Sequence, residues 1–244
     1  MISGTATPES LAQHAATISA FSSEPVTLSG VECFQLTAEM RNQAREAVLP
    51  PGLHPTVPPA LSLQGWNVGD SPWGGFSMSI ARISCRSGAR ARGFVVGTIV
   101  SSDAAAEGLR SSFGFPCRLG DVHFRRGYDG IELAVECDGA TLVEVGGLDP
   151  DPMANDDVQY TGSMTLAHTP NGLRLVQVEA HHQSTRVERL TSQIRSFDAP
   201  GWGQPLLDPY YVVASSVAVS EVTMPAVRFL CDPNAYAWDG TESV

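Results

Sequence analysis

The strongest constraint on the fold is a set of two-residue turns. Asp129-Gly130, Asp138-Gly139 and Asn171-Gly172 are strong signals for tight β-hairpins. Between the first two, Ile131, Leu133, Val135 and Cys137 alternate with Glu132, Ala134 and Glu136, the pattern of a half-buried strand. From Asp121 onward the chain therefore reads as a β-meander, with further strands at 140–146, 158–167, 173–182, 185–195 and 210–223. Upstream, strands are expected from Val26 and at 76–85 and 91–100. Short helices are expected at 8–21 after the cap Thr7, at 38–48 after Thr37, and near 103–112 up to Gly114. Residues 49–75 are rich in Pro and Gly and read mostly as loop, with a short apolar stretch at 60–66. No repeat or linker divides the chain. The expectation is an N-terminal arm or short helix over 1–24 and one mainly β domain (β-rich α+β) of barrel type over 25–244.

Composition narrows the chemistry. All 15 basic residues among the 244 are arginine, so no lysine side chain can form a Schiff base, hold pyridoxal phosphate or bind phosphate in a P-loop. A net charge of −11 argues against nucleic acid or an anionic membrane as partner. No apolar run approaches the roughly 20 residues that span a bilayer, and no signal peptide is visible. The five cysteines (Cys33, Cys85, Cys117, Cys137 and Cys231) contain no CxxC pair, which leaves no metal motif and fits a reducing cytoplasm.

Several constellations carry possible chemistry. The aspartates of 148–157 lack the spacing of a calcium loop and read as a solvated acidic loop. His181 and His182 are adjacent on a predicted strand and must face opposite ways, so one of them can face the interior. Ser215-Ser216 lies in no nucleophile elbow, and neither GxGxxG nor HExxH occurs. The stretch from Val100 to Leu119 runs from a strand end through a helix to a Gly-Phe-Pro corner that delivers Cys117 and Arg118. A neighbouring arginine would lower a thiol pKa and burial would raise it, so both a reactive and an inert Cys117 stay open.

At this stretch the sequence resembles the acetoacetate decarboxylase superfamily. Gly108-Leu109-Arg110, Phe113, Gly114, Phe115, Pro116 and Leu119 match its helix and corner. Phe34-Gln35-Leu36-Thr37, Leu49-Pro50-Pro51-Gly52-Leu53, Gly75-Phe76-Ser77-Met78 and Asp208-Pro209 follow in family order. The resemblance implies a closed, cone-like β-barrel with an internal pocket, in a homo-oligomer. It also implies losses. The family's Schiff-base lysine falls on Cys117 and its neighbouring lysine on Arg118. The family's N-terminal-strand arginine falls on Leu36, and its two pocket glutamates on Met78 and on or near Leu63. The implied pocket is lined by Phe34, Leu36, Leu63, Met78, Thr98, Phe115 and Cys117, largely apolar with Arg118 as the nearby charge.

Three functions fit that lining. The first is a cofactor-independent enzyme of secondary-metabolite biosynthesis that is not a decarboxylase. It would hold a hydrophobic intermediate for cyclisation, isomerisation or elimination, with Arg118 or Thr98 donating to an oxyanion and Cys117 as a possible nucleophile. The second is a small-molecule binding protein without turnover. The third is a hydratase or dehydratase using His123, His181 or His182 as acid/base.

Overall fold

The computed structural model describes residues 2–41 and 44–244. Its chain begins with helix α1 (Pro8–Leu11), a 3₁₀ turn and strand β1 (Ala16–Thr17). Then come β2 (Val26–Met40), β3 (His54–Pro55), β4 (Ala60–Asp70), β5 (Phe76–Ser87), β6 (Arg90–Val100) and α2 (Asp103–Phe113). β7 (Cys117–Leu119), β8 (Asp121–Arg126), β9 (Gly130–Cys137), β10 (Ala140–Pro152), β11 (Ser163–Thr169) and β12 (Gly172–Val178) follow. β13 (His181–Phe197), β14 (Pro209–Met224), β15 (Phe229–Cys231), α3 (Ala237–Gly240) and β16 (Thr241–Ser243) complete the chain. The fold is mainly β with a few short helices, as the turns and alternation required.

One hydrogen-bonded path orders the sheet as β16-β15-β12-β11-β6-β5-β4-β2-β14-β13-β10-β9-β8. β8 folds back over β4, β5 and β6, which gives the sheet its barrel-like curl. Asp138 and Gly139 form the expected two-residue turn between β9 and β10, with φ of 54° and 78°. The other two expected turns are corrected: Arg126 pairs with Ile131, so Asp129-Gly130 falls in a four-residue loop, and Gly172 pairs with Thr169, so it opens β12, with φ of 91°, after a loop of Pro170 and Asn171. Helix α2 is capped by Ser102, whose side chain accepts from the Ala105 N–H, and closed by Gly114 in the left-handed conformation. Its buried residues Ala105, Ala106, Leu109 and Phe113 lie on one side. That packing fixes where the Phe115-Pro116-Cys117 corner emerges.

Two expected helices are corrected. Over 8–21, Thr7 caps only one turn, and Ala16–Thr17 then pair in parallel with Ala167–His168 of β11. Of 38–48, only residues 38–40 are extended, in β2 between β14 and β4 with Ala38 and Met40 buried and Glu39 not, and residues 44–48 form turns. The periodicity of this stretch is two, and sheet pairing on both edges overrides helix propensity. Residues 42 and 43 of that expected helix lie outside the described residues. The 49–75 stretch holds β4, longer than its apolar residues 60–66 implied.

Two hydrophobic cores occupy opposite faces of the central strands. One contains Phe34, Leu36, Leu63, Ile99, Leu133 and Val145. The other contains Cys33, Trp66, Met78, Val100, Phe115 and Cys117.

Candidate functional site

Register decides the site. Gln35, Gln64, Ile80, Thr98 and Cys117 are successive partners across β2, β4, β5, β6 and β7, so they form one row on one face. Leu36, Leu63, Ala81 and Gly97 form the neighbouring row on the opposite face. Phe34, Leu36 and Leu63 therefore belong to the packed core and do not share a pocket with Met78, Thr98, Phe115 and Cys117. The expected lining is corrected by one residue, because a one-residue slip in a strand exchanges its faces. Gln35 and Gln64 stand where the apolar side chains were expected.

The row carries its charge on Arg82, next but one to Ile80 on β5. Arg82 is only 4% exposed. Its Nη1 donates to the Thr161 carbonyl at 2.8 Å and to Ser163 Oγ at 3.2 Å, and its Nη2 donates to Ser62 Oγ at 3.1 Å. Nε has no partner, and Arg82 makes no ion pair among the described residues. Burial lowers its pKa to about 10, opposed by Cys33 and Cys85. A buried guanidinium without a counter-ion is costly, and Arg82 offsets part of that cost through its three hydrogen bonds.

Arg82 lines two spaces. A cavity of about 280 Å³ opens beside it, walled by Gln35, Ser62, Arg92, Asp157 and Ser216 among others. Arg92 is also buried but is paired with Glu179 at 2.6 Å. Gln35 Nε2 donates to Ser216 Oγ at 3.2 Å. A smaller void of about 30 Å³ shares Arg82 and Thr161 and is walled by Gln64, Trp66, Met78, Phe115 and His182.

His182 is held by aromatic contacts. Tyr160 stacks on its ring with centroids 3.6 Å apart and planes 3° apart, and Trp66 meets it edge-on at 5.3 Å. Its Nδ1 is buried without a hydrogen-bond partner. Burial, then the Arg82 charge, then His181 lower its pKa to about 4, so it is neutral at pH 7. Tyr160 is oriented in turn by a hydroxyl chain, from its oxygen to Ser184 Oγ at 3.3 Å and on to Ser220 Oγ at 2.9 Å.

The expected catalytic pair lies elsewhere. Cys117 and Arg118 share a cleft of about 420 Å³ with Leu11, His14 and Trp202. The Cys117 thiol is pushed up to about 12 by burial, against the weaker pull of Arg110, so it stays protonated and is not an activated nucleophile. Arg110 instead grips the Cys117 carbonyl, at 3.1 Å from Nε and 2.7 Å from Nη2. Arg118 points the other way, donating to the Gly201 carbonyl and lying 3.7 Å from Asp138. It is not the charge of the Met78 and Phe115 void. The Thr98 hydroxyl is fully buried without a partner. His123 and His181 are exposed, leaving His182 as the inward member of its pair. Sequence reasoning passed over Arg82, although a cation within the run Ile80-Ala81-Arg82-Ile83 was a visible signal.

Comparison with known proteins agrees with this architecture. The family model described as "Acetoacetate decarboxylase (ADC)" matches residues 11–199. An acetoacetate decarboxylase from Legionella pneumophila superposes with a TM-score of 0.74 at 16% identity, over 86% of this chain and 88% of that one. The enduracididine biosynthesis enzyme MppR, in a structure with HEPES buffer bound, gives 0.70 at 17% identity, over 88% of this chain and 90% of that one. An acetoacetate decarboxylase-like enzyme from Sphingomonas wittichii RW1 gives 0.66 at 12% identity, over 84% and 92%. No curated protein matches in sequence.

Proposed function

The chain belongs to the acetoacetate decarboxylase family, and from that premise we propose that it is an enzyme of the family that works without a Schiff base and is not a decarboxylase. Its substrate is a small organic molecule that places a carboxylate or polarised carbonyl against Arg82 and an apolar part against Met78, Ile80 and Phe115. The reaction is an isomerisation, elimination or cyclisation through an enolate-like intermediate, in secondary-metabolite biosynthesis, with no cofactor.

The observation that carries this reading is Arg82, a buried guanidinium with no acidic partner among the described residues, at the junction of the two spaces. In a water-poor site such a donor stabilises a developing oxyanion far more than it would in bulk water. The absence of any lysine side chain supports a reaction without the family's lysine imine. Two structures of MppR, at 18% identity, are of complexes with pyruvate and with a condensation product of pyruvate and imidazole 4-carboxaldehyde, which supports a small oxo acid as the substrate type. Among the described residues no helix is long and apolar enough to cross a membrane, and we place the enzyme in the cytoplasm as a homo-oligomer.

The test is incubation of purified protein with a panel of 2-oxo and 3-oxo acids, followed by NMR and mass spectrometry. New product without any borohydride-reducible protein adduct supports the reading. A reducible adduct overturns it, and binding without product replaces it with a non-catalytic binding protein.

A further inference from the structure

Three features of His182 go beyond anion binding at Arg82. Its Nδ1 is buried and unpartnered, which is unusual for a polar atom in a folded chain. His182 lines a small space together with apolar residues such as Met78, Ile80 and Phe115 and the polar residues Gln64, Arg82, Tyr160, Thr161 and Ser163. The ring is clamped on one face by Tyr160 and at an edge by Trp66, so its direction is set without using a ring nitrogen. A histidine fixed by stacking and left with a free nitrogen is arranged to exchange a proton with something that enters the void.

We propose that His182 is the proton acceptor of this site and that an anion held by Arg82 switches it on. The inference rests on the proposed function, because it needs the anion at Arg82. The charged group that acts on His182 across the void is Arg82 on β5; Tyr160 on the segment before β11 stacks on its ring, and His181, next to it on β13 and turned to the other face, adds a weaker influence. With the void empty, the Arg82 charge adds to burial in disfavouring the imidazolium. A bound anion offsets that charge and contributes attraction of its own, so the imidazole becomes a competent base only when substrate is present.

The step balances as an enolisation. The proton on the carbon beside the carbonyl moves to His182 Nδ1. The C–H electron pair becomes the new C=C bond, and the carbonyl π pair moves to oxygen, where an Arg82 N–H donates to it. In a substrate with a C=C bond conjugated to the enolate, return of the proton from His182 to the γ-carbon, with the double bond shifted, completes an isomerisation. Return to the same carbon regenerates the substrate, with isotope exchange in D₂O.

The probe is 2-oxobutanoate, which carries a carboxylate, a carbonyl and exchangeable C3 protons. The imidazole signals of the ¹⁵N-labelled protein are titrated with and without it, and deuterium incorporation at C3 is followed by NMR in D₂O. The expected result is a His182 midpoint that rises by at least about one pH unit when the probe is bound, with exchange roughly 100-fold above buffer. His182→Gln abolishes the exchange, while Trp66 fluorescence still reports probe binding. An unmoved His182 midpoint with the probe bound overturns the proposal, and needs no variant to be seen. Exchange at the wild-type rate in His182→Gln also overturns it. A probe that fails to bind wild-type protein removes the Arg82 anion site of the proposed function, and the trigger with it.

Discussion

Tyr160 lies flat on His182, with ring centroids 3.6 Å apart and planes 3° apart. Tyr160 comes from the segment between β10 and β11, and His182 from β13. The stack therefore ties the wall of the cavity to the inner face of the sheet. It also covers the histidine, whose pKa is lowered first by burial. The same contact that positions the ring keeps it neutral.

That neutrality has a stability consequence. The folded-state pKa of His182 is depressed from 6.5 to about 4. Between those values the unfolded chain binds the proton and the folded one does not. Stability is present above pH 6.5 and is lost as pH falls toward 4. His182→Phe, which keeps a stackable ring, is expected to flatten that acid limb in urea titrations from pH 7 to 4. An unchanged slope would count against it.

The thiols act at the other end of the scale. Cys33, Cys85 and Cys117 are each raised from 9.0 to about 12, chiefly by burial. Above pH 9 the unfolded thiols ionise while the folded ones keep their protons, so the folded state binds more protons and stability falls as pH rises toward 12. The slope is up to about 1.4 kcal/mol per pH unit for each thiol. A thiol reagent at pH 8 is expected to leave Cys117 unmodified in native protein and to modify it after denaturation. Cys117→Ala is expected to keep any turnover found for the wild type.

Arg82→Met tests the uncompensated cation. The variant keeps much of the side-chain volume and removes a buried charge that has no acidic partner. Its Tm is expected to stay near the wild-type value or to rise. Wild-type Tm should climb with 2-oxobutanoate, by about 2.7 kcal/mol of added stability at 100 times Kd. The variant should show no such climb in a thermal shift series. An equal rise in both proteins would show that the anion binds elsewhere.

Gly114→Ala tests how the helix end aims the corner. Gly114 has φ of 69°, and a Cβ there would lie 2.7 Å from the Ala167 Cβ. The left-handed conformation alone costs a non-glycine residue roughly 1–2 kcal/mol, and the clash adds to it. Chemical denaturation should show at least that loss. Because the corner carries Phe115 into the void, probe affinity should fall as well.

Much of this protein can be read along the chain. The Asp-Gly and Asn-Gly turns, the alternation of β9, the Ser102 and Gly114 caps of α2 and the lysine-free composition are local facts. They determine a mainly β chain of this family with no lysine side chain to form an imine. The matching corner from Gly108 to Leu119 carried the family resemblance for the same reason, since caps and turns act over a few residues.

Tertiary structure alone decided the site. β2, β4 and β5 bury side chains on both faces, so apolar content cannot say which of Gln35 or Leu36, and Gln64 or Leu63, turns toward the cavity. Only the pairing of each strand with its neighbours sets that parity. The same holds for Arg82 and His182, 100 positions apart in sequence. Each is an ordinary residue on its own strand. They become a buried cation and an unpartnered base only where the curled sheet brings β5 and β13 around one void, because desolvation is a property of enclosure and not of sequence.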